Sequence, residues 1–323
     1  MARRSQRTDP ETLREELVNL LIKFKTKLLE DDLRDKVKDL IPANHLLRDL
    51  GSSLIDEDGT NSARDRILAY FRKYPSTLIS GDEVMVVAGI SEYARRIREL
   101  RVEMGWPIQT GLALKDIIED DKGLENLYPK QLLKKDFYVL TENNQDRDAA
   151  YRWKLANTIR KNNAGVKSKI IDYFLKNVGK EVTGEELKYL ANDRSEWPRR
   201  VRELRTEEGW PIATKVSGRP DLNVGIYVLE EDRQAEVHDR KIPDPVRIGV
   251  LERDDYSCCN CGWNHQNRNE ADRFRNLLEL HHIEHHAKGG KNLLENLITL
   301  CNICHDEVHR GNISSEKLLS LIT

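Results

Sequence analysis

Two stretches of this chain nearly repeat one another. Ser91 to Thr110 reads SEYARRIRELRVEMGWPIQT, and Ser195 to Thr214 reads SEWPRRVRELRTEEGWPIAT. The agreement extends beyond both ends. Ile67, Tyr70, Phe71 and Gly81-Asp82-Glu83 precede the first stretch, and Ile170, Tyr173, Phe174 and Gly184-Glu185-Glu186 precede the second. Phe137-Tyr138-Val139-Leu140 and Ile226-Tyr227-Val228-Leu229 close the two copies. Similarity of this length, in one order, implies two copies of one domain.

Each copy reads as three helices followed by a hairpin. Ile67, Leu68 and Phe71, or Ile170, Ile171 and Phe174, line the first helix at helical spacing. The second helix starts just after Gly81 or Gly184. The third opens at Ser91 or Ser195, both good N-caps, and ends at Gly105 or Gly209. Pro198 falls in the first turn, where a missing N–H costs nothing. Trp106-Pro107-Ile108 and Trp210-Pro211-Ile212 then begin a strand that returns through Tyr138 or Tyr227. From about Asn61 to Glu230 this order resembles the winged helix-turn-helix family, in tandem. The first copy departs from it by a long insertion, Gly111 to Lys135.

The third helices are rich in arginine: Arg95, Arg96, Arg98 and Arg101 in the first copy, Arg199, Arg200, Arg202 and Arg205 in the second. Ile97 and Leu100, or Val201 and Leu204, supply the buried stripe, so most of these arginines are expected to face outward. An outward guanidinium fork fits a phosphate or the major-groove edge of guanine. A solvated helix with internal Glu–Arg pairs, through Glu92, Glu99, Glu196 and Glu203, is the other reading. Duplication of the pattern favours DNA. The formal net charge is only -2, so a nucleic-acid function rests on such local clusters and not on overall basicity.

Ahead of the repeats, Leu13, Leu17, Leu20, Leu21, Phe24 and Leu28 predict a helix that starts near Thr8-Asp9-Pro10. Pro42 is expected to break the chain, and a second short helix to end at Gly51. The apolar stripe packs within its own domain or forms a dimer seam; a homodimer is expected. No apolar run is long enough for a bilayer and no signal core follows the basic start, which predicts a cytoplasmic protein.

All five cysteines fall in the last quarter: Cys258, Cys259, Cys261, Cys301 and Cys304. Cys258-x-x-Cys261 and Cys301-x-x-Cys304 can close a tetrahedral thiolate site with no position left for water, which makes its metal structural. Cys259 breaks the two-residue gap to Cys261 and is the spare thiol. Between the pairs lie His281 and His282, adjacent and so on opposite faces of a strand. His305 and His309, four apart, share a helix face. One of the adjacent pair can join them on a cation while the other faces substrate. His285 and His286 read as loop residues.

Val246 to Gly311 resembles the HNH (ββα-metal) endonuclease family in its four-cysteine, zinc-bearing form. The resemblance rests on Leu278-Glu-Leu-His-His-Ile-Glu-His-His-Ala-Lys-Gly-Gly290 followed by Asn296-Leu-Ile-Thr-Leu-Cys-Asn-Ile-Cys-His-Asp-Glu-Val-His309. It implies that His281, His305 and His309 ligate a catalytic divalent cation such as Mg²⁺. It also makes His282 the general base, Asn296 the residue that orients the base or the ββα turn, and the cysteine site a Zn²⁺ site. Many members carry Asp where this chain has His281. Three histidines are closer to the colicin-type DNases, and three imidazoles favour softer ions than magnesium. Lys288, beside Gly289-Gly290, is placed either against a phosphate or in solvent.

The expected architecture is an α+β multidomain chain. It has an N-terminal helical segment (1–58), winged-helix repeats at 59–145 and 160–232, a proline-containing linker, and an HNH nuclease domain at 246–323. Such a chain resembles a restriction endonuclease acting on double-stranded DNA. A host would then need a cognate methyltransferase, or the enzyme would cut modified DNA alone. A weakly specific nicking or homing-type nuclease is the alternative among enzymes, and a DNA-binding regulator with an inactive zinc module the alternative outside them.

Overall fold

The computed structural model describes residues 9–29, 31–120, 124, 126–235, 241–267, 274–284 and 290–322. Two compact units emerge. One comprises residues 1–111 and 131–150, the other 112–130 and 151–323.

The first unit begins with helices α1 (Pro10–Lys27) and α2 (Leu33–Ser53), packed against each other. The Asp9 carboxylate accepts from the N–H groups of Glu11 and Thr12 and so caps α1. Pro42 does not break the chain as expected; it lies inside α2, on an exposed turn. There the carbonyl that loses its partner can turn to water. Gly51 does not end the helix either. It lies where α2 meets the following domain, and a Cβ there would stand 2.6 Å from the Val86 carbonyl oxygen. A glycine chosen for close approach looks, in sequence, like one chosen as a terminator.

The first repeat follows: α3 (Ala63–Lys73), β1 (Ile79–Ser80), α4 (Gly81–Ala88), α5 (Tyr93–Arg98) with one π-helical turn after it (Glu99–Glu103), β2 (Ile108–Thr110) and β3 (Phe137–Leu140). The strands form an antiparallel sheet in the order β1-β3-β2. Ile67, Phe71, Val84, Ile97, Leu100 and Leu140 form its core.

The second unit includes α6 (Gly111–Asp120, from Leu112 onward), which lies in the first repeat's insertion, and α7 (Ala149–Arg160, from Tyr151 onward). It then builds the second repeat from α8 (Val166–Leu175), β4 (Glu181–Thr183), α9 (Gly184–Leu190), α10 (Trp197–Thr206), β5 (Ile212–Ala213) and β6 (Ile226–Leu229), with strand order β4-β6-β5. The insertion helix α6 docks on this repeat. Its Asp116 carboxylate accepts from Lys188 and from the Trp197 indole N–H. Asp120 accepts from Arg202.

Both copies therefore contain a first strand, β1 or β4, that the reading of three helices and a hairpin omitted. At two or three residues these strands are too short to show alternation; only pairing with β3 or β6 defines them. Ser91 and Ser195 are not the caps of the third helices. Glu92 and Glu196 hold those positions without a side-chain cap. The capping boxes that the two copies share sit one helix earlier, at Ser80/Glu83 and Thr183/Glu186, and the first copy has another at Ser62/Asp65. Gly105 and Gly209 both take positive φ, as terminators of the preceding helical turns do.

The C-terminal region is α11 (Asp244–Arg253), β7 (Leu278–His282), β8 (Leu297–Cys301), α12 (Asn302–His309) and α13 (Ser315–Leu321). β7 and β8 pair antiparallel, with His281 opposite Ile298 and His282 opposite Leu297. This region is not merely tethered to the second repeat. Both belong to one unit, and Arg205 at the end of α10 makes a two-pronged ion pair with Asp244 at the start of α11, at 3.1 and 2.6 Å. No helix among the described residues is long and apolar enough to cross a membrane.

Candidate metal centre and active site

The four cysteines converge from two elements. Cys258 and Cys261 flank the turn after α11, while Cys301 ends β8 and Cys304 lies in the first turn of α12. Their sulfurs all lie within 4.8 Å of one another. Cys261 Sγ and Cys301 Sγ are 3.8 Å apart, about the edge of a tetrahedron with ~2.3 Å metal–sulfur bonds. The Cys304 N–H and the Asn260 side-chain amide donate to the sulfurs of Cys301 and Cys304. A thiol hydrogen bond from Cys258 pulls the Cys301 thiol down to about 5, while burial pushes Cys304 up to about 11. Packed this closely, the four groups cannot all ionise without a cation among them. Cys259 stands outside the cluster: burial, then Asp254, pushes its thiol up to about 12.

The histidines form a second cluster. His281 on β7 and His305 and His309 on α12 bring one ring nitrogen each within 4.8 Å of the others. His305 Nε2 and His309 Nε2 are 3.3 Å apart, the separation of two imidazoles on a cation with bonds of about 2.0–2.1 Å. The donor set fits a divalent cation with further positions open to water or substrate. Strand alternation puts Glu279 on the same face as His281, and its Oε2 lies 3.3 Å from His305 Nδ1. A carboxylate there favours the proton on Nδ1 and leaves Nε2 as the lone pair that a cation would take. Burial pushes the Glu279 carboxyl above the usual carboxylate range, against the pull of Arg233. Glu279 was not singled out in the sequence; its place two residues before His281 was the available signal.

His282 points the other way along the strand. Its Nε2 lies 2.8 Å from Asn292 Oδ1, and the Asn292 amide donates to the Lys241 carbonyl at 2.7 Å. That donation fixes which way the amide faces, so Nε2 carries the imidazole proton and Nδ1 the lone pair. The ring is 1% exposed and that of His281 2%, so His282 does not face an open groove as its sequence position suggested. Asn296 ties the two ends of the β7–β8 turn together. Its Oδ1 accepts from the Glu284 N–H at 2.8 Å, and its Nδ2 donates to the carbonyls of Glu284 and Lys291. Gly290 lies under the same turn, where a Cβ would fall 1.8 Å from the Glu284 oxygen. Lys288, His285 and His286 lie outside the described residues.

A cleft of about 730 Å³ within the second unit is lined by Glu279, His305 and His309 on one side and by Trp210 and Ile212 of the second repeat on another. Arg247, at its base, is pushed down to about 10 by burial and by neighbouring Arg205, and keeps its charge at neutral pH.

The eight arginines of the third helices divide into groups. Glu99 accepts from both Arg95 and Arg96, and Glu203 from both Arg199 and Arg200, in the same geometry. Arg95, Arg98 and Arg199 are exposed, and Arg96 and Arg200 half-buried. Arg101 is also half-buried. Arg202 is committed to Asp120, and Arg205, at 8% exposure, to Asp244. Arg205 is therefore not on the outward face where the helical pattern put it, and Arg202, half-buried like Arg96 and Arg200, is engaged by a carboxylate, because α11 and the insertion helix supply acidic groups that the repeat by itself does not show.

Residues 258–311 match the HNH endonuclease family. The chain carries an HNH endonuclease domain. Residues 64–141 and 167–230 match the KpnI N-terminal domain, and these two segments coincide with the two sequence repeats. Together the matches make the chain a metal-binding deoxyribonuclease of restriction type. No individual curated protein and no solved structure gives a match.

Proposed function

We propose that the chain is a sequence-specific restriction endonuclease that hydrolyses double-stranded DNA with His282 as general base and one divalent cation held by His281, His305 and His309. One observation carries this reading: three imidazoles from β7 and α12 converge on a point beside a strand turn clamped by Asn296. A cation there supplies Lewis acidity toward a phosphate oxygen and the departing 3′ oxygen. Nδ1 of His282, held as the lone-pair nitrogen by Asn292, takes the proton of the attacking water. Burial of His282 in the DNA-free chain makes water access to Nδ1 part of the bound state. The four cysteines hold a structural Zn²⁺, and Mg²⁺ or a softer divalent ion serves the histidines.

The helix–strand–helix–helix–strand–strand order with its β1-β3-β2 sheet supports the winged-helix reading of both repeats. The matched Arg95/Arg96 and Arg199/Arg200 pairs, each buttressed by a glutamate, are the groups offered to DNA, with Arg98, Arg101 and Lys288 as further contacts. A cognate methyltransferase protecting the same site, and action in the cytoplasm, complete the proposal.

Digestion of plasmid by the purified chain, with Mg²⁺, Mn²⁺ or Co²⁺ and with chelator, tests it. Discrete fragments from unmodified plasmid are expected. Fragments only from methylated plasmid would make the enzyme modification-dependent, a smear would make it weakly specific, and intact plasmid with every cation would end the enzymatic reading.

One histidine site cuts one strand, so a double-strand cut calls for two copies. α1 and α2 leave Val18, Leu21, Ile22, Val37, Leu40 and Ile41 exposed while burying little beyond Leu13 and Ala43, an apolar face suited to a second copy. Sedimentation velocity should show a dimer that Leu21→Glu with Ile22→Glu converts to monomer. A wild-type monomer at micromolar concentration would refute the seam.

A further inference from the structure

The segment that leaves the second repeat makes a continuous set of bonds between the end of α10 and the histidine cluster. The Gln234 amide donates to the Glu208 carbonyl at 2.7 Å, and the Ala235 N–H donates to the Gly209 carbonyl at 2.8 Å. Those two carbonyls belong to the turn that terminates α10, the arginine-bearing helix. Next to them, Arg233 Nη2 donates to both oxygens of Glu279, at 3.1 and 3.3 Å. Its Nη1 lies 3.7 Å from the Asp306 carboxylate. Glu279 in turn holds His305, as described above. One guanidinium therefore stands between a segment fixed to the recognition helix and a carboxylate fixed to a metal ligand. Arg233 lies at neither a helix face nor a motif position, and neither family match covers it.

We propose that Arg233 is a positioning residue that keeps Glu279, and through it His305, in register with the C-terminal end of α10. The proposal rests on His305 being a ligand of the divalent cation. A carboxylate held on both oxygens cannot rotate freely, so His305 keeps one ring orientation. With Arg233 gone, Glu279 can turn away from His305, and the imidazole loses the partner that orients it. Outer partners of metal-bound histidines typically change affinity or activity by about 10–100-fold. The coupling also has a functional sense: displacement of α10 when its arginines engage DNA reaches His305 through the Arg233–Glu279 hydrogen bonds and the Glu279–His305 ion pair, tying cleavage to correct reading.

The test uses the full chain with zinc retained on its cysteines. Co²⁺ is titrated onto wild type, Arg233→Ala and Arg233→Lys without DNA and followed by visible absorption. Cleavage constants and metal-free DNA affinity are measured on the same proteins. Arg233→Ala should weaken Co²⁺ binding and lower kcat by about tenfold each, with KM and metal-free DNA affinity within about twofold. Arg233→Lys should recover part of both losses, since an ammonium can hold one Glu279 oxygen; this second variant also guards against an alanine variant that folds poorly. Unchanged Co²⁺ affinity and kcat would overturn the proposal. So would a loss confined to KM with a shallower salt dependence, the mark of a phosphate contact. Wild-type protein that takes up no cobalt at its histidines would instead overturn the metal site itself, and this proposal with it.

Discussion

His282→Ala is expected to lower the cleavage rate by about 10²–10⁴-fold, the usual contribution of a general base, while DNA affinity and metal content stay at wild-type levels. The separation of these readouts follows from geometry. His281 turns to the face that carries His305 and His309, whereas His282 turns to Asn292. Removing the His282 ring therefore leaves the His281, His305 and His309 nitrogens in place. It also leaves the Asn296 clamp intact, because that clamp is made to the backbone of Glu284 and Lys291. Single-turnover cleavage, filter binding and metal analysis on one preparation decide the matter. Cleavage within a few-fold of wild type would remove His282 as the base. A parallel loss of metal would mean that it serves the cation and not the water.

Cys301→Ser should cost the chain its zinc and unfold the C-terminal region. Cys301 is fully buried at the end of β8 and also caps α12, its sulfur accepting from the Cys304 N–H. Serine is a good N-cap, so this substitution preserves the cap and removes the thiolate. Structural zinc contributes about 10–16 kcal/mol in small zinc-finger peptides at neutral pH, as much as or more than the whole stability of an ordinary domain, about 5–15 kcal/mol. The core around the cluster is small: Cys258, Trp263, Leu278, Ile298 and Leu300 are among its members. It has little apolar surface to compensate. Zinc analysis with amide-exchange protection of β7, β8 and α12 gives the readout. A fully zinc-loaded variant with unchanged protection would contradict the ligand set. Because α12 also carries His305 and His309, cleavage should vanish with the zinc.

The two clusters that could hold metal were legible because each of their residues lies in a local pattern. A two-residue gap sets each cysteine pair, a four-residue gap puts His305 and His309 on one helix face, and adjacency on a strand separates His281 from His282. The repeat was legible because duplication leaves a direct record in residue order. Asn292, Glu279 and Arg233 were not legible. Each is an ordinary polar residue that gains meaning from a partner brought close by folding: the Lys241 carbonyl for Asn292, His305 for Glu279, and Glu279 for Arg233. The same holds in the negative sense for Arg202 and Arg205. On a helical wheel they match the outward arginines, but Asp120 and Asp244, far away in the chain, claim them. Pro42 and Gly51 make the point for backbone: local propensity reads both as breaks, yet an exposed turn tolerates the first and close helix packing requires the second.

Residue order alone thus determined which side chains can bind metal and that one domain occurs twice, since both depend on spacings that the helix and strand periods fix in advance. Only the tertiary structure decided which arginines stay outside, what holds His282 and His305 in place, and that the nuclease region packs on the second repeat. Those outcomes depend on charges and carbonyls dozens of residues apart, and no local period connects such groups.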